Sequence, residues 1–282
     1  MIKGKVYDNH VHSYFSADSE MLIIDAVKAA AVKGLSGICI TDHMDLVQPT
    51  HNRDFTFNIY DQQKAINRII SNLSSKDNDF NLPTKDFHLL RGIEVGLQDI
   101  SKEQNQKLLQ ENNFDLVIFS QHFMEGTDPY HGHYYNRYDW KQAYENYLIT
   151  LYNNSKELGD FDIIGHFDYI VRYSPWEKGI AYRDFSDIFD EIFKYLIDNL
   201  KTFEINTKTY QYYNGKEPIL DINIIKRYKE LGGEFISLGS DAHTPDRLGD
   251  KFPKYLSLLY NNGIKNTVSY INRQPVVNPI II

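Results

Sequence analysis

Apolar positions along the chain follow two alternating spacings. In residues 21–33, Leu22, Ile23, Ala26, Val27, Ala30 and Ala31 recur at helical spacing and Gly34 follows, where a helix end favours glycine, so a helix is predicted. Within residues 36–41, Ile38, Cys39 and Ile40 form a short apolar run, the pattern of a buried strand. The two patterns then repeat. Helices are predicted near residues 61–73, over 102–111, from an aromatic loop at 123–138 to about 158, around 185–200, and over 219–231 with Gly232 as the cap. Strands are predicted at residues 5–7, leading into His10 and His12, and at 87–93, 116–120, 162–165, 202–205 and 235–240. A polar loop containing Pro83 precedes the strand at 87–93. The tail beyond Phe252 holds one more helical stretch and an apolar end from Pro275 to Ile282, expected to pack against the outside of the sheet or to close its seam.

Seven strand–helix alternations predict a parallel sheet, because parallel neighbours need crossover connections. In six of the seven units a His, Asp or Glu follows the last apolar residue of the strand. In a closed barrel the strand ends all converge on one face, whereas an open doubly wound sheet gathers only the loops near its switch point. The expected architecture is therefore an α/β, TIM-like barrel of seven units. No internal repeat or low-complexity linker interrupts it, so residues 1–282 are expected to form a single domain.

Composition narrows the partners. A chain of 282 residues with 42% hydrophobic content can bury one large core. Its net charge of −8 leaves no basic surface for general attraction to a nucleic-acid backbone, so no nucleic-acid partner is expected. The single Cys39 can form no internal disulfide, which suits a reducing cytoplasm. With no visible signal sequence and no apolar run of about 18 residues, no membrane association is expected. Tyr (21) and Phe (16) are abundant, and many stand beside histidines, as aromatic walls around a polar ligand would.

The candidate chemistry lies at the strand ends. Residues i and i+2 of a strand share a face, so His10 and His12 can grip one ion from one side. Asp18, His43, Glu94, His122, His166, Asp241 and His243 complete a set of nine zinc-, manganese- or iron-binding residue types, nearly all following predicted strands. Asp18 also stands where the helix beginning near Met21 would want an N-cap, so it is open to either role or to both. His51, His88, His131 and His133 read as surface or loop residues.

In order and spacing, His10-x-His12, Thr41-Asp42-His43, Glu94, His122, Gly165-His166 and Ser240-Asp241-Ala242-His243 resemble the polymerase and histidinol phosphatase (PHP) superfamily across nearly the whole chain. His10-x-His12 followed by Asp18, the run Gly165-His166-Phe167-Asp168-Tyr169, and the aromatic insertion between His122 and Trp140 resemble its histidinol-phosphate phosphatase branch. The resemblance implies a distorted barrel of seven units holding three divalent ions. By matching position, His10, His12, Glu94 and Asp241 would hold the first; Glu94, His122 and His166 the second; Asp18, His43 and His243 the third. Many members carry a His where Asp18 stands. A bridging Glu94 suits two-metal phosphate hydrolysis, and three divalent ions outweigh Glu94, Asp18 and Asp241 by about three unit charges, which a phosphomonoester dianion and a hydroxide would balance.

The implied reaction is hydrolysis of L-histidinol phosphate by attack of a metal-bridging hydroxide, with Glu94, Asp18, Asp241 and His243 as the residues of catalysis and Asp42 and Asp168 as carboxylates that orient ligand imidazoles or serve as caps. Arg172 and Arg53 could reach the phosphate, while Phe15, Phe55, Phe123 and Tyr130 could stack on an imidazole and Glu125 could meet the substrate amine. Two alternatives stand beside this reading: another PHP activity, on nucleotides or as a phosphodiesterase or nuclease, and a non-catalytic metal-stabilised scaffold. A complete ligand set argues against the scaffold, since a structural site keeps no open coordination position.

Overall fold

The computed structural model describes residues 3–48, 53–73, 87–213 and 215–282. In chain order, β1 (Tyr7–Val11) leads to α1 (Ile23–Val32), β2 (Gly37–Ile40), a two-residue β3 (His43–Met44), α2 (Ile59–Leu73), β4 (His88–Gly96), α3 (Lys102–Glu111), β5 (Leu116–Ser120) and α4 (Trp140–Leu158). There follow β6 (Ile163–Ile164), the single turn α5 (Tyr169–Arg172), α6 (Ser186–Asp198), β7 (Thr202–Asn206), α7 (Ile222–Glu230), β8 (Phe235–Gly239), α8 (Phe252–Asn261), β9 (Asn266–Ile271) and β10 (Gln274–Pro279).

Strands β1, β2, β4, β5, β6, β7 and β8 lie side by side in that order, every pair parallel. The ladder does not close continuously. At the top, β1 returns to the segment after β8 through one parallel bridge, Val11 to Ala242, with Asp241 N–H donating to His10 O and His12 N–H to Ala242 O, each at 2.9 Å. At the bottom, β8 instead pairs with β9, and the antiparallel β9–β10 hairpin extends the sheet. Asn9 sits in the seam and donates from Nδ2 to Ser237 Oγ and Val268 O, both at 3.0 Å. The result is a distorted, TIM-like α/β barrel, and the apolar tail forms a hairpin that extends the sheet beyond β8.

Period-two alternation explains what lies inside. On β4, Leu89, Ile93 and Val95 face the main apolar core beneath the helices, while Leu90 joins Tyr7, Cys39, Leu116, Ile118 and Ile163 in a smaller inner cluster. Glu94 shares the inner parity of Leu90 four residues further up, above that apolar plug. Strand β1 needs a correction of parity to do the same. Its pairing with β2 shifts register between Asp8 and Val11, which lets Tyr7 and His10, three residues apart, both face inward.

Several boundaries differ from the sequence pattern. β4 continues two residues past Glu94, because Val95 is buried and Gly96 pairs with Ser120. β3 had no apolar run to announce it; it forms because His43 and Met44 pair with Glu94 and Val95. α7 starts only at Ile222, where Asp221 accepts from the Asn223 amide, rather than at 219. The aromatic loop contains two short helical turns, Pro129–His131 and Tyr134–Asn136. His51 and the loop around Pro83 lie outside the described residues. No helix among the described residues is long and apolar enough to cross a membrane.

Candidate metal centre

The nine residues singled out in the sequence meet at the carboxyl ends of the strands, and Glu94 is the hub. Its two oxygens lie 3.3 Å from His10 Nε2, 3.5 Å from His12 Nε2, 2.8 Å from His43 Nδ1, 3.3 Å from His122 Nε2 and 2.8 Å from His166 Nε2. Asp241 closes the far side at 3.4 Å from His12 Nε2 and 3.6 Å from His243 Nδ1. Asp18 reaches His243 Nε2 at 2.9 Å and His43 Nε2 at 3.7 Å. It does not cap α1, whose N-cap is Leu22 without any side-chain cap bond.

These residues fit a group of divalent ions. His10 Nε2, His12 Nε2 and Glu94 Oε2 are fully buried, have no hydrogen-bond partner and belong to one cluster with all ligand atoms within 4.8 Å. A buried polar atom without a partner costs about 1–3 kcal/mol, so three of them converging on one point are placed for something to bind. Further clusters of the same compactness are Glu94, His122 and His166; His10, His166 and Asp241; His12, His43 and His243; and His43, Asp45 and His122. Glu94, His122 and His166, expected as one group, lie together among them, as do His10, His12 and Glu94 of the four expected in another. In the third group His12 takes the place expected for Asp18, which is a third exposed and turned to His243.

Two carboxylates that the sequence reading passed over hold the imidazoles from behind. Glu204 Oε1 lies 2.9 Å from His10 Nδ1, and its Oε2 accepts from the His166 amide at 2.9 Å and Asn206 Nδ2 at 3.0 Å. Asp45 lies 3.0 Å from His122 Nδ1. A carboxylate on Nδ1 fixes the tautomer and leaves Nε2 as the electron-pair donor. Both depend on glycines: a Cβ on Gly239 would fall 1.7 Å from Glu204 Oε1 and 2.6 Å from His10 Cβ, and one on Gly96 would fall 1.8 Å from Asp45 Oδ1. Signals for both were present. Glu204 alternates with Phe203 and Ile205 in the one unit that lacked a polar strand end, and Asp45 follows His43 by two. Asp42, one of the carboxylates expected to orient imidazoles, instead accepts from Ser13, Ser16 and Gln62. Ser16, whose Oγ lies 3.0 Å from His12 Nδ1, links the Asp42 side chain to the cluster. Asp168 accepts from Thr209 and Tyr210.

Charge in the cluster is tightly coupled. Burial would lower the His10 pKa, but Glu204 and Glu94 raise it well above its ordinary value. His43 is raised in the same way by Glu94 and Asp18, and His122 to about 10 by Asp45 and Glu94, again against burial. Burial and the neighbouring His43 and His243 hold His12 well below, and burial with Arg172 nearby brings His166 down to about 4. Glu94 stays well below the carboxylate range despite burial because His10, His43 and His122 surround it. Asp241 does so beside Lys208 and Arg172.

Above the cluster opens a cavity of about 460 Å3, in the range of small-molecule sites. Asp18, His43, His122, His166 and Asp241 line its floor, and Arg53, Phe55, Phe123, Asp128, Tyr130, Tyr169, Arg172, Tyr173 and Lys208 its walls. Arg172 is buried and anchored, donating to Asp241 Oδ2 at 2.9 Å, Asn206 Oδ1 at 2.8 Å and Thr209 Oγ1 at 2.8 Å. Lys208, which the sequence reading missed, reaches Asp241 Oδ1 at 3.0 Å. Two expected substrate contacts are elsewhere. Phe15 is not among the lining residues and packs on Tyr14 and Phe57, and Glu125 is paired with Arg137 and Tyr138 on the exposed side of the aromatic loop.

Comparison with known proteins agrees with this centre. The family model described as "PHP domain" matches residues 8–208. A protein of Clostridium acetobutylicum named "Probable histidinol-phosphatase" is 35% identical over 262 residues, covering 92% of this chain and 95% of that protein. The "Histidinol-phosphatase" of Lactococcus lactis subsp. lactis is 31% identical over 274 residues, 94% of each. Among solved structures, the histidinol phosphate phosphatase of Lactococcus lactis subsp. lactis, complexed with zinc, L-histidinol and phosphate, superposes with a TM-score of 0.84 at 27% identity, over 96% of this chain and 99% of that one. The inward-facing strand ends, the buried unpartnered ligand atoms and the match over most of the chain lead to one conclusion: this chain belongs to the PHP domain family.

Proposed function

We propose that this protein is a metal-dependent phosphomonoesterase that hydrolyses L-histidinol phosphate to L-histidinol and phosphate in the cytoplasm. The observation that carries the reading is the convergence of the unpartnered His10, His12 and Glu94 atoms beneath a cavity walled by cations and aromatic rings. The zinc, L-histidinol and phosphate bound to the Lactococcus lactis enzyme support the choice of cofactor class and substrate. Three divalent ions, of zinc, manganese or iron, would be held by His10, His12, Glu94 and Asp241; by Glu94, His122 and His166; and by Asp18, His43 and His243. When bound, such ions bring water close to deprotonation at neutral pH, so that hydroxide is available to attack phosphorus, and they neutralise the phosphate oxygens.

The chain supplies orientation and charge. Glu94 turns Oε1 toward His10, His122 and His166 and Oε2 toward His12 and His43, and Glu204 and Asp45 lock the imidazoles of His10 and His122. Arg172 and Lys208 add positive charge along the Asp241 edge of the cavity, where a phosphate dianion would enter. Phosphate release should be measured from L-histidinol phosphate, glycerol phosphate, a nucleoside monophosphate and an aryl phosphate, with metal counted in the same sample. A preference for L-histidinol phosphate of at least tenfold in kcat/KM is expected; a nucleotide as the best substrate would overturn the assignment.

A further inference from the structure

Where β1 meets the segment after β8, the sheet has one isolated bridge in place of a ladder, and a buried carboxylate adds ties of its own. Asp8, on β1, is fully buried. Its Oδ1 accepts from the Ser240 amide at 2.9 Å and the His10 amide at 3.4 Å, and its Oδ2 from the Ser240 hydroxyl at 2.5 Å and the Gly249 amide at 2.9 Å. Ser240 and Gly249 are the two ends of one loop, and Asp241 and His243 stand on it. One side chain therefore fastens both ends of a loop that carries two residues of the metal cluster.

Asp241 needs that fastening. Its φ is 52°, in the left-handed region, which residues other than glycine rarely adopt and which persists only where the surroundings over-determine it. Here they do: Asp8 holds the preceding Ser240 by amide and hydroxyl, the Asp241 amide donates to His10 O, and Ala242 O accepts from the His12 amide. In this pose the Asp241 carboxylate lies 3.4 Å from His12 Nε2. Glu94 differs, because regular pairing of β4 with β3 and β5 fixes its backbone. We infer that Asp8 is a positioning residue for the metal centre: it clamps the loop 240–249 to β1 and so holds Asp241 in the left-handed conformation that turns its carboxylate to the histidines. This rests on the metal-centre reading above and adds a residue that itself binds no ion. Asparagine cannot replace it. Asp8 meets donors on both oxygens, so either orientation of an amide sets its NH2 against a backbone N–H, that of Ser240 or that of Gly249.

The test is calorimetric titration of zinc into the metal-free full chain, as wild type, Asp8→Asn, Asp241→Asn and the double variant. Asp8→Asn should weaken the binding step that Asp241→Asn weakens, by roughly 10- to 100-fold, and leave the other steps nearly unchanged. Because Asp8 acts through Asp241, the double variant should be no weaker at that step than Asp241→Asn alone. Asn9→Ala is the control for a purely structural role: it removes the seam bonds to Ser237 and Val268, so it should lower the midpoint of urea unfolding and leave every zinc step in place. Wild-type zinc binding in Asp8→Asn, the same zinc pattern in Asn9→Ala, or additive losses in the double variant overturns the positioning role while the metal-centre reading stands. If Asp8→Asn does not fold, Ser240→Ala, which withdraws only the hydroxyl, should weaken the same step at least about threefold, and an unchanged step overturns the role. A wild type that takes up no zinc overturns both readings.

Discussion

Glu94 and Asp18 are residues whose sequence neighbourhoods predict different things from their surroundings in the fold. Glu94 looks like a strand end but lies inside β4, and that placement brings its carboxylate within 3.5 Å of five imidazoles. Glu94→Gln keeps the shape and removes the charge. It should abolish turnover and lower metal content by more than one ion per chain, as read by metal analysis of the purified variant; retention of both metal and rate would refute a shared carboxylate. Asp18 was open to capping α1, and the structure closes that option because Leu22 holds the N-cap position. Asparagine would serve nearly as well as a cap, so Asp18→Asn discriminates. We expect kcat to fall by roughly two orders of magnitude with the fold retained by circular dichroism, whereas near-wild-type kcat would show that Asp18 binds nothing needed for catalysis.

At the scale of elements, the strands were legible because their apolar runs are short and bounded: β5 and α3 match the pattern residue for residue. What escaped depends on partners distant in sequence. β3 exists only as a pairing with β4, and the inward turn of His10 needs a register shift against β2 that no local pattern announces. Glu204 was missed because polar residues were sought after the last apolar position of β7, while it stands one position inside, on the inward parity. The glycines across from these carboxylates show how neighbouring strands cooperate. Gly239 on β8 leaves the space that Glu204 on β7 uses to reach His10 on β1. Gly239→Ala should therefore destabilise the protein by roughly 1–3 kcal/mol in urea unfolding and weaken metal retention at the same time. An alanine variant with unchanged midpoint and unchanged metal content would show that Glu204 is free to sit elsewhere.

Across the whole molecule, the acidic net charge of −8 told little about the site, because the barrel gathers its ten histidines unevenly: six of them ring Glu94 and Asp241. Without an ion, His10, His43 and His122 share their carboxylates with protons, His122 up to about 10. The sign of the linkage follows. A histidine whose pKa is raised from 6.5 in the fold stabilises the metal-free protein fully below 6.5, and this contribution drains away as pH climbs toward about 10. Metal needs those same nitrogens unprotonated, so its binding releases protons and strengthens as pH rises. The gap in melting temperature between metal-loaded and metal-free protein should widen from pH 6 to pH 9; a constant gap would mean that the imidazoles are not the ligands.

The central claim is that this ring of histidines and carboxylates is a metal-dependent phosphatase centre, and removing and restoring the metal tests it most directly. Phosphate release from L-histidinol phosphate should be followed in the protein as purified, after a chelator has stripped it to a verified absence of metal, and after zinc, manganese or iron is added back. Activity should be lost on stripping and should recover to saturation at about three ions per chain. Full activity in protein shown to be free of metal would contradict it.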